Sequence, residues 1–293
     1  MSTTLRQGWL RVMKSVGVRT FKPTSGLGHP YVCHLGDIAS ENPFYNLEED
    51  VAGLRLMAAW CADETRPVIF DVGANVGFVC TQLAQMLKDA EPMVIAFEPV
   101  WSTFAKLKFS IKELGLEDRI TPICCAISDG HKFVPIAFDE GQSLFAQIRP
   151  DTANARVGGN QTWASTQTLD TAVETLALHP TLLKVDVEGF EAYVLRGAKN
   201  LLSSFNPPAI FFEWNPLTLR EIGIKPEEII ALLRDWNLYY VDDFEGQRKP
   251  LGELVSNAAG IDWTCNFFAV PPTEQAASRW AATCKKLQIA SPR

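Results

Sequence analysis

Between about residue 66 and residue 245, dense apolar runs of strand length alternate with stretches whose apolar positions recur every three or four residues. The first kind of run suits a buried strand and the second one face of a helix. "RPVIFDVG" predicts a first strand over Val68 to Val72, with a helix from Phe78 to Leu87. "MVIAFEP" predicts a second strand ending at Pro99, and Phe104, Leu107, Lys108 and Ile111 follow with helical spacing. "ITPICCAIS" reads as a third strand, and "KFVPIAFDEGQSLFAQI" alternates like an antiparallel hairpin. The polar segment from Asp151 to Thr166, with Gly158 and Gly159, reads as a long surface loop or lid. "LLKVDV" is a fourth strand, followed by a helix with Phe190, Val194, Ala198 and Leu201 on one face. "PAIFFEW" is a fifth, Pro226 to Trp236 a helix opened by proline, "LYYVDDF" a sixth, and "CNFFAVP" a late strand placed at the antiparallel edge. This order predicts an α/β domain with a mostly parallel sheet. The first fifty residues lie outside the pattern. The expected organisation is residues 1–50 as an N-terminal extension or substrate cap, then one domain over 51–293 with a lid or insertion at about 131–181.

Composition narrows the class without changing that picture. An apolar share of 47% over 293 residues is that of a globular chain. No run approaches the roughly 18 apolar residues of a membrane span. The start lacks the continuous apolar stretch of a secretory signal. Leu5, Trp9, Leu10, Val12 and Met13 suit a basic amphipathic helix, which is expected to dock on its own domain rather than on a membrane or partner. The seven cysteines lack paired or zinc spacing, and Cys124 and Cys125 sit inside an apolar run. That pattern predicts reduced cysteines and a cytoplasmic protein. A net charge of -7 argues against a non-specific nucleic-acid binder.

The first strand runs into "DVGANVG". In open α/β sheets, ligands bind beyond the carboxyl ends of the strands where the chain order reverses. Gly73 and Gly77 allow a sharp turn and close backbone approach, and Glu98 ends the next strand, where a carboxylate can accept from two ribose hydroxyls. A dinucleotide site would prefer Gly-x-Gly-x-x-Gly, and Asp71 would repel a pyrophosphate. An acid at that place suits a ligand with a positive amino group, such as the methionine end of S-adenosylmethionine.

"LLKVDVEGFE" interrupts an apolar run with Lys184, Asp186 and Glu188. Charge inside a sheet is costly unless it is paired or engaged in chemistry. If the strand persists, the three share one face, and Lys184 can pair with a carboxylate and keep it ionised. Asp186 is the leading candidate to face a ligand, with Glu188 and Glu213 able to reach the same crevice. A carboxylate there could deprotonate an acceptor hydroxyl, and several converging oxygens could hold Mg²⁺ with waters. Glu191 reads as a helix-start residue.

"FDVGANVG", "AFEP", "AISDG", "TLD" and "LKVDVEGFE" resemble, in order and spacing, the FkbM-type S-adenosylmethionine-dependent methyltransferases, over about residues 68 to 215. The resemblance implies a class I methyltransferase (Rossmann-like) fold: a seven-stranded mixed sheet flanked by helices. It also implies O-methylation of a small metabolite, sugar or polyketide-like acceptor. Carried over, Asp71, Gly73, Asn75 and Gly77 would hold the methionine part and Glu98 the ribose. Ala126, Ser128 and Asp129 would line the adenine pocket, with Asp186 and Glu188 beside the reactive methyl group. The rival readings are an NAD(P)-dependent oxidoreductase and a donor-binding scaffold without activity. "NPPA", Asn206 to Ala209, resembles an amino-methyltransferase signature but falls one helix too late and reads as a helix stop. His29, His34, His131 and His179 show no ligand spacing. Ser143, Trp163, Trp214 and Asn215 are candidate acceptor contacts.

Overall fold

The computed structural model describes residues 3–48, 50–139, 142–148, 161–243 and 248–289. Ahead of the main sheet lie α1 (Thr3–Ser15), the short strands β1 (Thr20–Phe21) and β2 (Cys33–His34), α2 (Ile38–Tyr45) and α3 (Val51–Cys61). The alternating unit follows: β3 (Val68–Val72), α4 (Phe78–Met86), β4 (Met93–Phe97), α5 (Trp101–Glu113) and β5 (Ile120–Ile123). Next come β6 (Ala126–Ile127), β7 (Phe133–Asp139), β8 (Gln142–Ile148), β9 (Gln161–Gln167) and α6 (Leu169–Leu176). The chain then forms β10 (Leu182–Val185), α7 (Glu191–Arg196), α8 (Lys199–Leu202), β11 (Ala209–Trp214), α9 (Pro216–Glu221) and α10 (Pro226–Leu232). It closes with β12 (Asn237–Asp243), β13 (Cys265–Val270) and α11 (Glu274–Leu287).

Seven strands form one sheet in the order β12-β13-β11-β10-β3-β4-β5. β13 runs antiparallel to both β11 and β12, and the other pairs are parallel. β3 and β10 occupy the centre, with Val72 opposite Val185 and Lys184 opposite Asp71. Because strand side chains alternate, Ile69 and Leu182 enter one apolar layer while Phe70 and Leu183 enter the other. The first layer packs against α3, α4, α5 and α11 through Leu54, Leu83, Leu107 and Trp280. The second packs against α6 to α10 through Leu169, Val194, Leu219 and Ile229. Both faces of the central strands are covered, which is why they read as nearly unbroken apolar runs.

Several expectations change. "ITPICCAIS" is two strands, because the chain turns where the Cys125 amide donates to the Ile123 carbonyl, 3.1 Å away. β5 stays at the edge of the large sheet, and β6 joins a second sheet ordered β6-β9-β7-β8. The hairpin forms as β7 and β8. Of the predicted loop, Gln161 onward is β9, paired antiparallel to β7 with Val134 opposite Ala164. Residues 149–160 lie outside the described residues. β13 lies inside the sheet, and β12 takes the edge. The helix behind β10 divides at Gly197, where a Cβ would lie 2.0 Å from the Ser128 carbonyl oxygen, so two backbones cross there. All seven cysteines are free, and only Cys124 is exposed. Among the described residues no helix is long and apolar enough to cross a membrane.

Candidate active site

Chain order runs outward from β3 through β4 to β5 on one side and through β10 to β11 on the other. The switch point of the sheet is therefore the pair β3 and β10. A cleft of about 1070 Å³, open mouth included, lies beyond their carboxyl ends. The turn after β3 forms one wall of it. Gly73 has φ +83°, and a Cβ there would stand 1.9 Å from the Asp186 carbonyl oxygen. The glycine is thus demanded by the neighbouring strand as well as by the turn. Asn75 is also left-handed, at φ 51°, and its Oδ1 accepts from the Val76 amide at 2.8 Å.

Glu98, just past β4, is buried and lines the cleft. Its Oε2 accepts from the Asn75 amide at 3.0 Å and its Oε1 from the Val100 amide at 2.8 Å. One carboxylate therefore ties the turn after β3 to the turn after β4. Burial pushes the Glu98 carboxyl up to about 7, against the opposing pull of those two amides. Across the cleft, Cys125, Ala126 and Ile127 provide a largely apolar wall.

Lys184 organises the centre. It stands in register with Asp71 on the adjacent strand, so both side chains leave the same face of the sheet. Its Nζ lies 3.2 Å from Asp71 Oδ1 and 3.3 Å from Asp186 Oδ2, and donates to the Gly73 carbonyl at 2.8 Å. The Asp71 contact is a close approach of charges without hydrogen-bond geometry, since neither Asp71 oxygen has a hydrogen-bond partner among the described residues. Burial alone would lower the lysine, but Asp186 and Asp71 outweigh it and hold the ammonium above its ordinary value. Burial raises the Asp71 carboxyl while Lys184 opposes the rise. Asp71 is fully buried and is not part of the cleft wall. The expectation that it meets a donor amino group is corrected: Asp71 fixes Lys184, and Lys184 fixes the glycine turn.

β10 ends at Val185, so Asp186 and Glu188 belong to the turn after it. Both line the cleft. Glu188 takes a left-handed φ of 53°, a conformation that costs a non-glycine residue energy and recurs at functional sites. Glu191 holds this turn: its Oε1 accepts from the Val187 and Gly189 amides at 3.1 and 3.3 Å. Burial, then Asp186 and Glu191, push the Glu188 carboxyl up to about 8. Glu191 itself is raised to about 7, chiefly by burial.

Glu213 is not among the residues lining the cleft, but its carboxyl lies close enough to Asp186, Glu188 and Glu191 to feel their charges. Its Oε2 is buried without a partner, and burial followed by Asp186, Glu188 and Glu191 pushes it well above the carboxylate range. Ser128 and Asp129 also stand off the cleft wall, leaving Ala126 as the predicted adenine-side residue that lines it. Ser128 donates to Asp129 at 3.3 Å, and Asp129 pairs with Lys132. Gly77 caps α4 rather than lining the cleft.

The carboxylates do not form a cation site. Lys184 stands between Asp71 and Asp186, and no group of three or more His, Cys, Asp or Glu among the described residues could hold a metal ion. Trp163 points to the exposed face of β9, away from buried Ala164. Trp214 is core, donating Nε1–H to the Ile261 carbonyl at 3.0 Å, and Asn215 caps α9. Ser143 has a side chain outside the described residues. None of the four histidines lines the cleft. "NPPA" enters β11 from the opposite end of the sheet, as a helix stop should.

Sequence patterns missed the other wall. Ala39, Asn42 and Pro43 of α2, with Asp50 before α3, line the same cleft as the glycine turn. The expectation of residues 1–50 as an extension or substrate cap named the segment but none of these residues.

Residues 71–239, more than half of the chain, match the methyltransferase FkbM domain. The chain belongs to the FkbM methyltransferase family. No curated protein matches this sequence. Among solved structures it is similar to a methyltransferase FkbM from Methylobacillus flagellatus, 16% identical, covering 70% of this chain and 44% of that one at TM-score 0.46. The chain thus spans less than half the length of that protein. It is also similar to a SAM-dependent methyltransferase from Agrobacterium tumefaciens, 11% identical over 87% and 71% of the two chains, TM-score 0.45. A third is a SAM-dependent O-methyltransferase from Thermotoga maritima, 14% identical over 73% and 63%, TM-score 0.37.

Proposed function

We propose that this methyltransferase moves the methyl group of S-adenosylmethionine to a hydroxyl oxygen of a small polar acceptor. The observation that carries the reading is one cleft with two unlike carboxylate sites. Glu98 is fixed by two amides on the β4 side, and Glu188 stands in a left-handed turn on the β10 side, lining the same cleft. The first suits the paired hydroxyls of a ribose. The second suits proton removal, because burial places its carboxyl near neutrality, where a general base works best.

The donor, when bound, supplies a methyl group on a sulfonium centre. The backbone of Gly73 to Asn75 would hold its amino-acid end, Glu98 its ribose, and Cys125 to Ile127 one face of its adenine. Asp186, directed by Lys184, presents fixed negative charge toward the cationic centre. Glu188 accepts the acceptor proton. A hydroxyl needs such a base and a neutral amine does not, which favours oxygen as the methylated atom. Fixing both partners in line supplies much of the remaining rate.

The test is transfer of labelled methyl from S-adenosylmethionine to a panel of neutral hydroxylated metabolites and matched amines. Label in an ether product, absent for every amine, is the expected result. Label only in amines, or oxidation of the panel with NAD(P)⁺, would refute the reading.

A further inference from the structure

We propose that the N-terminal segment Asp37 to Glu48, with Asp50, is part of the methyl-donor site, and that the Asp37–Lys106 ion pair holds it there. The inference rests on the donor reading above and reaches a region outside the family's matched residues, which begin at position 71. Ala39, Asn42, Pro43 and Asp50 line the cleft together with the glycine turn. A ligand held by Gly73, Asn75 and Glu98 shares its cleft with this segment.

The segment cannot hold its own shape. α2 has eight residues and a proline inside, far below the roughly 12–15 residues an isolated helix needs in water. Its placement comes from contacts with the rest of the molecule. Asp37, at the helix start, is 1% exposed, and its Oδ2 lies 2.5 Å from Lys106 Nζ on α5. Four residues on, Ser110 meets the buried His34 Nε2 at 2.9 Å, so the same face of α5 also holds the chain three residues before the segment. Glu41 accepts from the Gly36 amide at 2.6 Å and pairs with Lys14 at 2.6 Å. Arg6 donates to the Phe44 carbonyl at 2.6 Å.

The helix that carries Lys106 follows β4, and β4 delivers Glu98. The ion pair therefore ties the cap wall to the strand that bears the proposed ribose ligand. Lys106 does not line the cleft, so it acts as a positioning residue. Breaking the pair by Lys106→Met leaves Asp37 buried without that partner and loosens α2. Lys106→Arg keeps the charge and the reach.

The experiment measures S-adenosylhomocysteine affinity by calorimetry in the full chain, alongside hydrogen exchange over residues 38–48. Addition of S-adenosylhomocysteine to the wild type should slow exchange in that segment. Lys106→Met should weaken binding about tenfold, Lys106→Arg much less, and Asp37→Asn combined with Lys106→Met little more than either alone, as expected for coupled sites. Exchange in β3 and β10 should be unchanged in the variants. Wild-type affinity in Lys106→Met, or no protection of residues 38–48 in the wild type, would overturn the inference. The exchange measurement needs no variant, so it decides the matter even if Lys106→Met does not fold. A wild type that binds no S-adenosylhomocysteine would instead refute the donor reading.

Discussion

Replacing Lys184 with methionine is expected to destabilise the protein by about 3–5 kcal/mol at neutral pH, the typical cost of removing one partner from a buried ion pair. Asp71 is fully buried, and Lys184 is the cation that reaches it. Without that cation, Asp71 must either ionise unpaired or take up a proton. Since burial raises its carboxyl, the variant should regain stability as pH falls and the acid protonates, and lose it as pH rises. The intact protein behaves differently at the alkaline end. Its lysine is raised in the folded state, so that group's contribution is present below about pH 10 and lost only when the folded lysine titrates. The double variant Lys184→Met with Asp71→Asn should recover much of the loss, because it removes the stranded charge. Thermal melts of the two variants between pH 5 and pH 9 check this. Equal stability of both at every pH would contradict it.

Glu188→Gln is expected to lower turnover by about two to four powers of ten, the usual worth of a positioned general base. That corresponds to about 2.7–5.4 kcal/mol of barrier. In the wild type the rate should climb with pH until Glu188 ionises near 8 and then level off. Stability moves the other way. A carboxyl raised in the folded state contributes fully below the unfolded value of about 4 and loses that contribution as pH rises through 8. Glutamine cannot ionise, so the variant should melt above the wild type at pH 9 while being nearly inactive. A merely structural Glu188 would give lower melting and ordinary turnover. Substrate affinity should change less than turnover.

The strands, their alternation with helices and the glycine turn were legible because each is set by local pattern: apolar period, proline, and glycine where φ is positive. The place of Lys184 was half legible. Its charge inside an apolar run announced a partner, and Asp186 two positions on was visible as one. Asp71 lies more than a hundred positions away and becomes a partner only through parallel register of β3 with β10, which no periodicity reports. That is why Asp71 read as a ligand contact and proved to lie beneath the cleft wall. Glu213, at the end of the neighbouring strand, lies off the lining but within range of the Asp186 and Glu188 charges. "ITPICCAIS" looked continuous because both of its halves are apolar, though they belong to different sheets. The α2 wall escaped because its cleft-facing residues are short, mixed in polarity and without period. Their position is set by contacts distant in sequence, among them ion pairs to α1 and α5.

Titration of S-adenosylhomocysteine into the full chain at pH 8, above the value of about 7 to which burial pushes the Glu98 carboxyl, tests the donor site most directly. The wild type should bind one equivalent saturably, and Glu98→Gln, which loses the second charged acceptor oxygen, should bind about tenfold more weakly. NADPH under the same conditions should give no binding heat. Saturable binding of NADPH with none of S-adenosylhomocysteine would contradict the assignment of this cleft to a methyl donor.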